Sequence, residues 1–236
     1  MLYLSFALFF LTASCVQAAR TQRSEASWAC ANPSKLADCI TKQFFKDIGY
    51  AGSMDDYDQF SQYIGSLVKD DLSGLRSFCP HVESLRTCVS DWNNCITIPG
   101  FQKAFPTLSP IDLQNYASLF RLFGVVCQAN NLDILLAQSK CLATVSSEDN
   151  NPAFKNCTDT EDPDCSTAVK MSRCFGENVK NVCGAAAGTV LCELFQTGYV
   201  VQQQFHSCSF DCQFSNSRTA VLSILALSFA LLMSVF

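Results

Sequence analysis

Cysteine is the residue whose number and spacing carry the clearest chemistry in this chain. The 236-residue sequence contains 15 Cys and two His. We assign Cys15 to a leader segment, and the even number of cysteines that then remains predicts disulfides in a secreted chain. We therefore expect seven disulfides among Cys30, Cys39, Cys79, Cys88, Cys95, Cys127, Cys141, Cys157, Cys165, Cys174, Cys183, Cys192, Cys208 and Cys212.

The spacing of these cysteines restricts which of them can pair. Two cysteines nine residues apart lie about 2.5 turns apart on an α-helix, on opposite faces, and cannot bond to each other. Each must bond a cysteine of another element, or the helix must break between them, for which Gly176 and Gly184 are candidates. Cys88 and Cys95, seven residues apart, are predicted to share a face. The nine-residue step separates Cys30 from Cys39, Cys79 from Cys88, and each neighbouring pair in the series Cys165, Cys174, Cys183 and Cys192.

The other residue types give little support for metal binding or catalysis. The sequence has no CxxC, and His206-x-Cys208-x-x-x-Cys212, its closest cluster, predicts half-cystines in an oxidising compartment. A Ser-His-Asp triad has few places to start, because His81 and His206 are the only histidines. The G-x-S-x-G, H-E-x-x-H and G-x-x-x-x-G-K motifs are missing. We expect no catalytic residue, no cofactor and no metal ion.

Charge is confined to the middle of the chain. Residues 1–18 and 219–236 contain no charged side chain, so the 16 basic and 21 acidic residues all lie between them. The net charge of −5 argues against a nucleic-acid partner, because neutralising phosphates requires a surplus of Lys and Arg.

Residues 1–18 have the character of a signal peptide. The apolar run Leu2–Ala13 has the length of a signal-peptide core and is too short to span a bilayer. Val16 and Ala18 place small side chains before a cut after Ala18. We expect the chain to enter the secretory pathway and to lose Cys15 with this leader. The alternative is a buried N-terminal helix.

Residues 219–236 predict attachment to a membrane. An apolar tail that no charge follows is typical of a GPI-attachment signal, whose acceptor is a small residue such as Ser215, Asn216 or Ser217. An earlier acceptor would remove Cys212 and leave an odd cysteine. The alternative is a retained membrane span, which normally has Lys or Arg on its cytoplasmic side. Either way, we expect the protein at the extracellular face of the plasma membrane.

Helical periodicity runs through most of the middle of the chain and predicts about seven to eight helices. Because alternating strand patterns are missing, we predict an all-α, disulfide-stapled domain. Its larger unit is 19–146 and its shorter unit is 165–214, with a loop at 147–164. The predicted helices follow Ser34 as far as Gly49, then cover Tyr57–Leu67, Leu72–Cys79 with helical spacing that continues from Pro80 to Ile96, the segment from Ser109-Pro110 to Cys127, Leu132–Leu142, 166–182 and 185–205, with a break at Pro99-Gly100.

Two polar segments are candidate sites of modification or binding. The loop 147–164 contains the only N-x-[ST] sequon, Asn156-Cys157-Thr158, so we predict glycosylation of Asn156. The acidic residues of this loop lack the Gly that a calcium loop requires, which leaves a solvated acidic loop. Asp55, Asp56 and Asp58 stand at a predicted helix start, where the helix dipole favours carboxylates.

Phenylalanine is abundant between residues 19 and 218, where 14 of the 19 Phe lie. The helix after Ser109-Pro110 carries Phe120 and Phe123 on its apolar stripe. If neighbouring helices fill this stripe, the rings form a core. If part of the stripe lines a cavity of roughly 300–1,000 Å³, the protein is a carrier of a hydrophobic small molecule such as a lipid or sterol. We expect the packed core.

The pattern Phe123-x-x-x-Cys127, followed by Cys141-Leu142 and the Cys-x8-Cys steps in 165–192, resembles a known group of domains. These are the invertebrate, chiefly nematode, secreted cysteine-rich helical domains of unassigned function, and the resemblance covers roughly residues 30–208. It implies no catalytic residues. A more distant resemblance is to GDNF-receptor-like and growth-arrest-specific ectodomains, which implies a GPI-anchored helical protein that binds proteins. We therefore expect an extracellular binding protein with a protein partner, the hydrophobic carrier being the alternative.

Overall fold

The computed structural model describes residues 30–69, 72–145, 157, 164–201 and 208–214, and every regular element in these ranges is helical. The all-α prediction is therefore confirmed. The elements are α1 (Pro33–Asp38), a π-helical stretch (Cys39–Phe44), α2 (Phe45–Ile48), α3 (Tyr57–Val68), α4 (Leu75–Val89), α5 (Trp92–Cys95), α6 (Ile98–Ala104), α7 (Pro110–Val126), α8 (Ala129–Ala137), α9 (Ser139–Val145), α10 (Cys165–Cys183) and α11 (Ala185–Val200).

The first helical segment begins two residues earlier than Ser34, the predicted N-cap. Asn32 caps α1, because its side chain accepts a hydrogen bond from the Lys35 amide and Pro33 occupies the first turn. The predicted stop at Gly49 is confirmed. Gly49 has φ 76°, a left-handed conformation that glycine adopts without strain.

The helical spacing predicted to continue from Pro80 agrees with the structure, because α4 runs through Pro80. Burial of Phe78, Cys79 and Val82 around this position outweighs the hydrogen bond that proline removes. The predicted helix as far as Ile96 is wrong. It ends at Val89, and Ser90 follows with φ 58°.

The helix break after Val89 separates two cysteines that were predicted to share a helix face. Cys88 lies in α4 and Cys95 in α5, so the prediction is wrong. Arg121 of α7 holds the chain around α5 by donating hydrogen bonds to the carbonyl oxygens of Ile96, at 2.7 Å, and Asn93. Burial lowers the pKa of this guanidinium to about 10.

The break predicted at Pro99-Gly100 is instead the first turn of α6. Thr97 caps this helix by accepting a hydrogen bond from the Gly100 amide, and Pro99 lies where helices tolerate proline. The start of α7 agrees with the sequence: Ser109 is its N-cap and Pro110 its first residue. The segment predicted as one helix over Leu132–Leu142 is divided into α8 and α9.

The core around α7 is built mainly from aromatic rings. Phe44 packs with its ring centre 5.6 Å from that of Phe120 and 6.0 Å from that of Phe78. Phe123 lies 4.9 Å from Phe78, and Phe60 stacks on Phe120 at 6.0 Å. These rings come from the π-helical stretch, α3, α4 and α7, so one aromatic cluster joins four elements.

The last two helices form a close hairpin. The chain breaks at Gly184, with φ 92°, as one of the two candidate positions predicted. The break predicted at Gly176 is wrong, because Gly176 lies inside α10 at the contact with α11. A Cβ at this position would lie 2.8 Å from the Cys192 Cβ and 2.7 Å from the Phe214 ring. Directly before Gly176, the ring of Phe175 stacks on that of Phe195 with the ring centres 3.9 Å apart.

All fourteen cysteines from Cys30 to Cys212 are paired, which confirms the seven predicted disulfides. No two cysteines nine residues apart bond to each other, as their helical spacing requires. The pairs fall into two sets, because none joins a cysteine at or before Cys127 to one at or after Cys141. They are Cys30–Cys95, Cys39–Cys88 and Cys79–Cys127 in the first set, and Cys141–Cys183, Cys157–Cys174, Cys165–Cys208 and Cys192–Cys212 in the second.

Non-covalent contacts join the two disulfide sets. Helix α11 packs along α7 and α8. Val201, directly after α11, joins the core cluster of the N-terminal helices. Asn131 of α8 is buried and donates hydrogen bonds to the Val125 carbonyl at 3.1 Å and to the Glu193 carboxylate at 3.2 Å. The described helices therefore pack together across the boundary that no disulfide crosses.

The pairing predicts how a cut chain behaves. If a protease site is inserted between Asp149 and Asn150 and cleaved, only Cys141–Cys183 joins the two pieces. We expect one band on a denaturing gel without reductant and two bands with it. In the double variant Cys141→Ser/Cys183→Ser, the cleaved pieces should separate without reductant. Two bands from the unreduced parent protein would contradict the pairing.

Candidate binding surfaces

The residues predicted to carry chemistry divide into those within and those outside the described ranges. All fourteen predicted half-cystines are placed, and Cys208 and Cys212 of the former zinc candidate are each in a disulfide. Outside the described residues lie the predicted leader, His206, the predicted glycosylation site Asn156, and the anchor candidates Ser215, Asn216 and Ser217.

A cleft of about 340 Å³ lies between the first turns of α3 and α7. Its walls are strongly acidic. Ile111, 47% exposed, is one of its few apolar contributors. The lining residues are Asp55, Asp56, Tyr57, Asp58, Ile111, Asp112 and Asn115.

The carboxylates of this cleft also serve the helix ends beside it. Asp56 is the N-cap of α3 and accepts a hydrogen bond from the Gln59 amide at 2.8 Å. Asp112 accepts one from the Ser109 hydroxyl at 2.6 Å, while Ser109 caps the Asp112 amide. The capping role predicted for the acidic group at residues 55–58 is thus confirmed for Asp56. Asp112 was not among the predicted capping residues, although the Ser109-x-x-Asp112 spacing is a capping-box signal.

Two tyrosine hydroxyls beside the cleft lack hydrogen-bond partners among the described residues. The hydroxyls belong to Tyr57 and Tyr116, whose rings pack edge to face at 5.1 Å. Burial raises the pKa of both tyrosines above the ordinary value of 10.0, and the charge of Asp112 raises each further. Both phenols are therefore neutral and are not prepared to act as bases.

The cleft offers mainly negative charge and hydrogen-bond acceptors, and the side-chain amide of Asn115 adds a donor. No group of three or more His, Cys, Asp or Glu within the described ranges is arranged to hold a metal ion. Because capping accounts for Asp56 and Asp112, the cleft needs no ligand to explain it.

The apolar stripe of α7 is occupied by neighbouring side chains. Phe120 is fully buried and Phe123 is 5% exposed. The ring of Phe123 lies 5.6 Å from that of Phe120 and 6.4 Å from that of Phe44. Because other rings surround Phe123, this geometry favours the packed core over a cavity wall.

Comparison with known proteins gives no family for this chain. No protein-family model matches it, and no curated protein and no solved structure is significantly similar to it. In the described part of the chain, no single helix is long and apolar enough to cross a membrane. Only α7 and α8 taken together meet that test, with a bend of 85° between them.

Removing an aromatic ring from the core should destabilise the folded protein. Phe123→Ala is expected to lower the free energy of unfolding by about 3–5 kcal/mol, because it removes a ring that other rings enclose. Val182→Ala is the control, with a change within about 0.5 kcal/mol, since Val182 is 63% exposed. Chemical denaturation of the delipidated proteins measures both. An unchanged stability for Phe123→Ala would contradict the packed core and favour the carrier.

Removing the unpartnered hydroxyl of Tyr116 should stabilise the protein, in contrast to the loss of the Phe123 ring. Tyr116→Phe is expected to raise the free energy of unfolding by about 1 kcal/mol, because it removes a buried polar group that has no partner. Tyr63→Phe is the matched control and should lower it by about 1 kcal/mol, since the Tyr63 hydroxyl donates to the Ile48 carbonyl at 2.6 Å. Equal losses in both variants would contradict this account.

Proposed function

We propose that this protein is an extracellular interaction protein that is held at the cell surface and acts by binding another protein. The observation that carries the proposal is the pairing of every cysteine after the leader into seven disulfides. Disulfides at this density persist in oxidising compartments and are rare where thiols are kept reduced. The signal-peptide character of residues 1–18 supports the same route.

The proposed attachment is a GPI anchor at one of residues 215–217, guided by the apolar segment 219–236. Two disulfides support it, because Cys165–Cys208 and Cys192–Cys212 fasten the segment 208–214 to the last two helices. An anchor placed directly after this segment leaves the whole framework outside the membrane. It also retains Cys212, so that Cys192 keeps its partner.

Binding of a protein, rather than carriage of a lipid, is supported by the packing of the aromatic rings. Phe44, Phe120 and Phe123 contact one another, so the stripe predicted to line a carrier's cavity is occupied. A domain of this kind presents a fixed outer surface, because seven disulfides and the aromatic core together hold its helices in place. Such rigidity lowers the entropy lost on binding a protein partner.

Enzymatic release tests the attachment. Cells expressing the full chain are treated with phosphatidylinositol-specific phospholipase C, and we expect the protein to move from the cell surface to the medium. The released protein should end at Ser215, Asn216 or Ser217. The control is a variant in which Leu231–Phe236 is replaced by a span followed by lysines, which should stay on the cells. Recovery of an intact Leu231–Phe236 peptide from membranes would contradict the GPI anchor.

Native mass spectrometry of the released protein tests the binding role. We expect the mass of the polypeptide with its glycan and anchor remnant, and no further adduct. A stoichiometric lipid or sterol that leaves on mild activation would contradict the protein-binding proposal and favour the carrier.

A further inference from the structure

The segment 208–214 lies beside α10 and runs in the same direction as the helix. Cys208 is bonded to Cys165, at the first residue of α10. Asp211 forms an ion pair at 3.6 Å with Arg173, two turns further along. These two contacts fix the direction of the segment as parallel to the helix.

The last described residue of this segment continues the same course. The Phe214 ring touches the position where a Gly176 Cβ would stand, and the Lys180 ammonium lies 5.8 Å from the ring centre. From Gly176 to Gly184, where α10 gives way to α11, is about 12 Å along the helix. The described segment therefore ends at Phe214 beside the C-terminal half of α10, on a course directed towards the α10–α11 turn.

One apolar side chain is exposed near the α10–α11 turn. Val182 is 63% exposed and is one of only two exposed large hydrophobic residues among those described. Lys140 is exposed and lies next to Cys141, which is bonded to Cys183 near the same end of α10. An exposed apolar side chain with a lysine at the same end of the domain suits the boundary between phospholipid headgroups and acyl chains.

We infer that the α10–α11 turn is the membrane-facing end of the domain and contacts the phospholipid surface through Val182, with Lys140 at the headgroup phosphates. This inference rests on the proposed membrane attachment through the tail. It assigns a lipid surface as the partner of the turn and leaves the other faces of the domain free for a protein.

The aromatic core lies towards the C-terminal end of α11, away from the α10–α11 turn. The apolar residues packed around the turn come from α8 and α9 as well as the hairpin, whereas the cluster around α7 takes in Val201. Val201 is 17 residues beyond Gly184, or about 25 Å along α11. Ile111, at the start of α7, is the second exposed large hydrophobic residue and provides a matched control position.

Tryptophan scanning with brominated phospholipids tests the orientation. Full-length Val182→Trp, full-length Ile111→Trp and the parent protein are purified from expressing cells and reconstituted into phosphatidylcholine vesicles with brominated acyl chains. The parent gives the baseline for Trp28 and Trp92. We expect added quenching and a blue shift for Val182→Trp, and the baseline value for Ile111→Trp.

Each outcome separates the orientation from the attachment. Flotation with the vesicles but no added quenching of Val182→Trp, or stronger quenching of Ile111→Trp, would overturn the orientation and leave the attachment standing. If the parent protein does not float with vesicles, the attachment fails and the inference fails with it. Thermal unfolding of each variant establishes that the substitution leaves the fold intact, as expected at an exposed position.

Discussion

The half-turn offset between cysteines nine residues apart is the constraint on which the arrangement of the helices depends. On a helix, this offset places the two sulfur atoms on opposite faces, so each disulfide must reach a different neighbour. Helix α4 shows the consequence. Its Cys88 bonds Cys39 of the π-helical stretch, while its Cys79 bonds Cys127 at the end of α7. One helix is therefore held between two others, and the aromatic core forms where all three meet.

The same constraint shapes the end of the chain that we propose lies next to the membrane. In α10, Cys165 bonds Cys208 of the segment 208–214, whereas Cys174, nine residues further along, bonds Cys157. The path of the chain after α11 is then fixed by covalent bonds at both Cys208 and Cys212. If the anchor follows this short segment directly, the two disulfides leave the domain little freedom to change its orientation relative to the membrane. For this reason, we connect the scaffold with a defined orientation at the cell surface.

The sequence was sufficient to predict the fold class, the number of disulfides and the cysteines that cannot pair, because these follow from composition and helical geometry. It was not sufficient to predict which cysteines do pair, since that depends on which helices become neighbours. Glycine and proline show the same limit. Gly184 separates α10 from α11, whereas Gly176 lies inside α10 and leaves room for α11 to pack closely. Nothing in the neighbouring sequence distinguishes these two glycines. Pro99 was predicted to break the chain, but Thr97 supplies the cap that turns this proline into a helix start. The acidic cleft escaped prediction because it joins two helix starts that are distant in sequence.

Disulfide mapping is the most direct test of the central claim that two separate sets of bridges hold a single helical framework. The native protein is alkylated without reductant and digested at low pH to prevent exchange, and the bonded peptides are identified by mass spectrometry. We predict no alkylated cysteine and seven bonded pairs, none of which joins a cysteine at or before Cys127 to one at or after Cys141. A bond between the two sets, a bond between cysteines nine residues apart, or two or more alkylated cysteines in the folded protein would contradict the account.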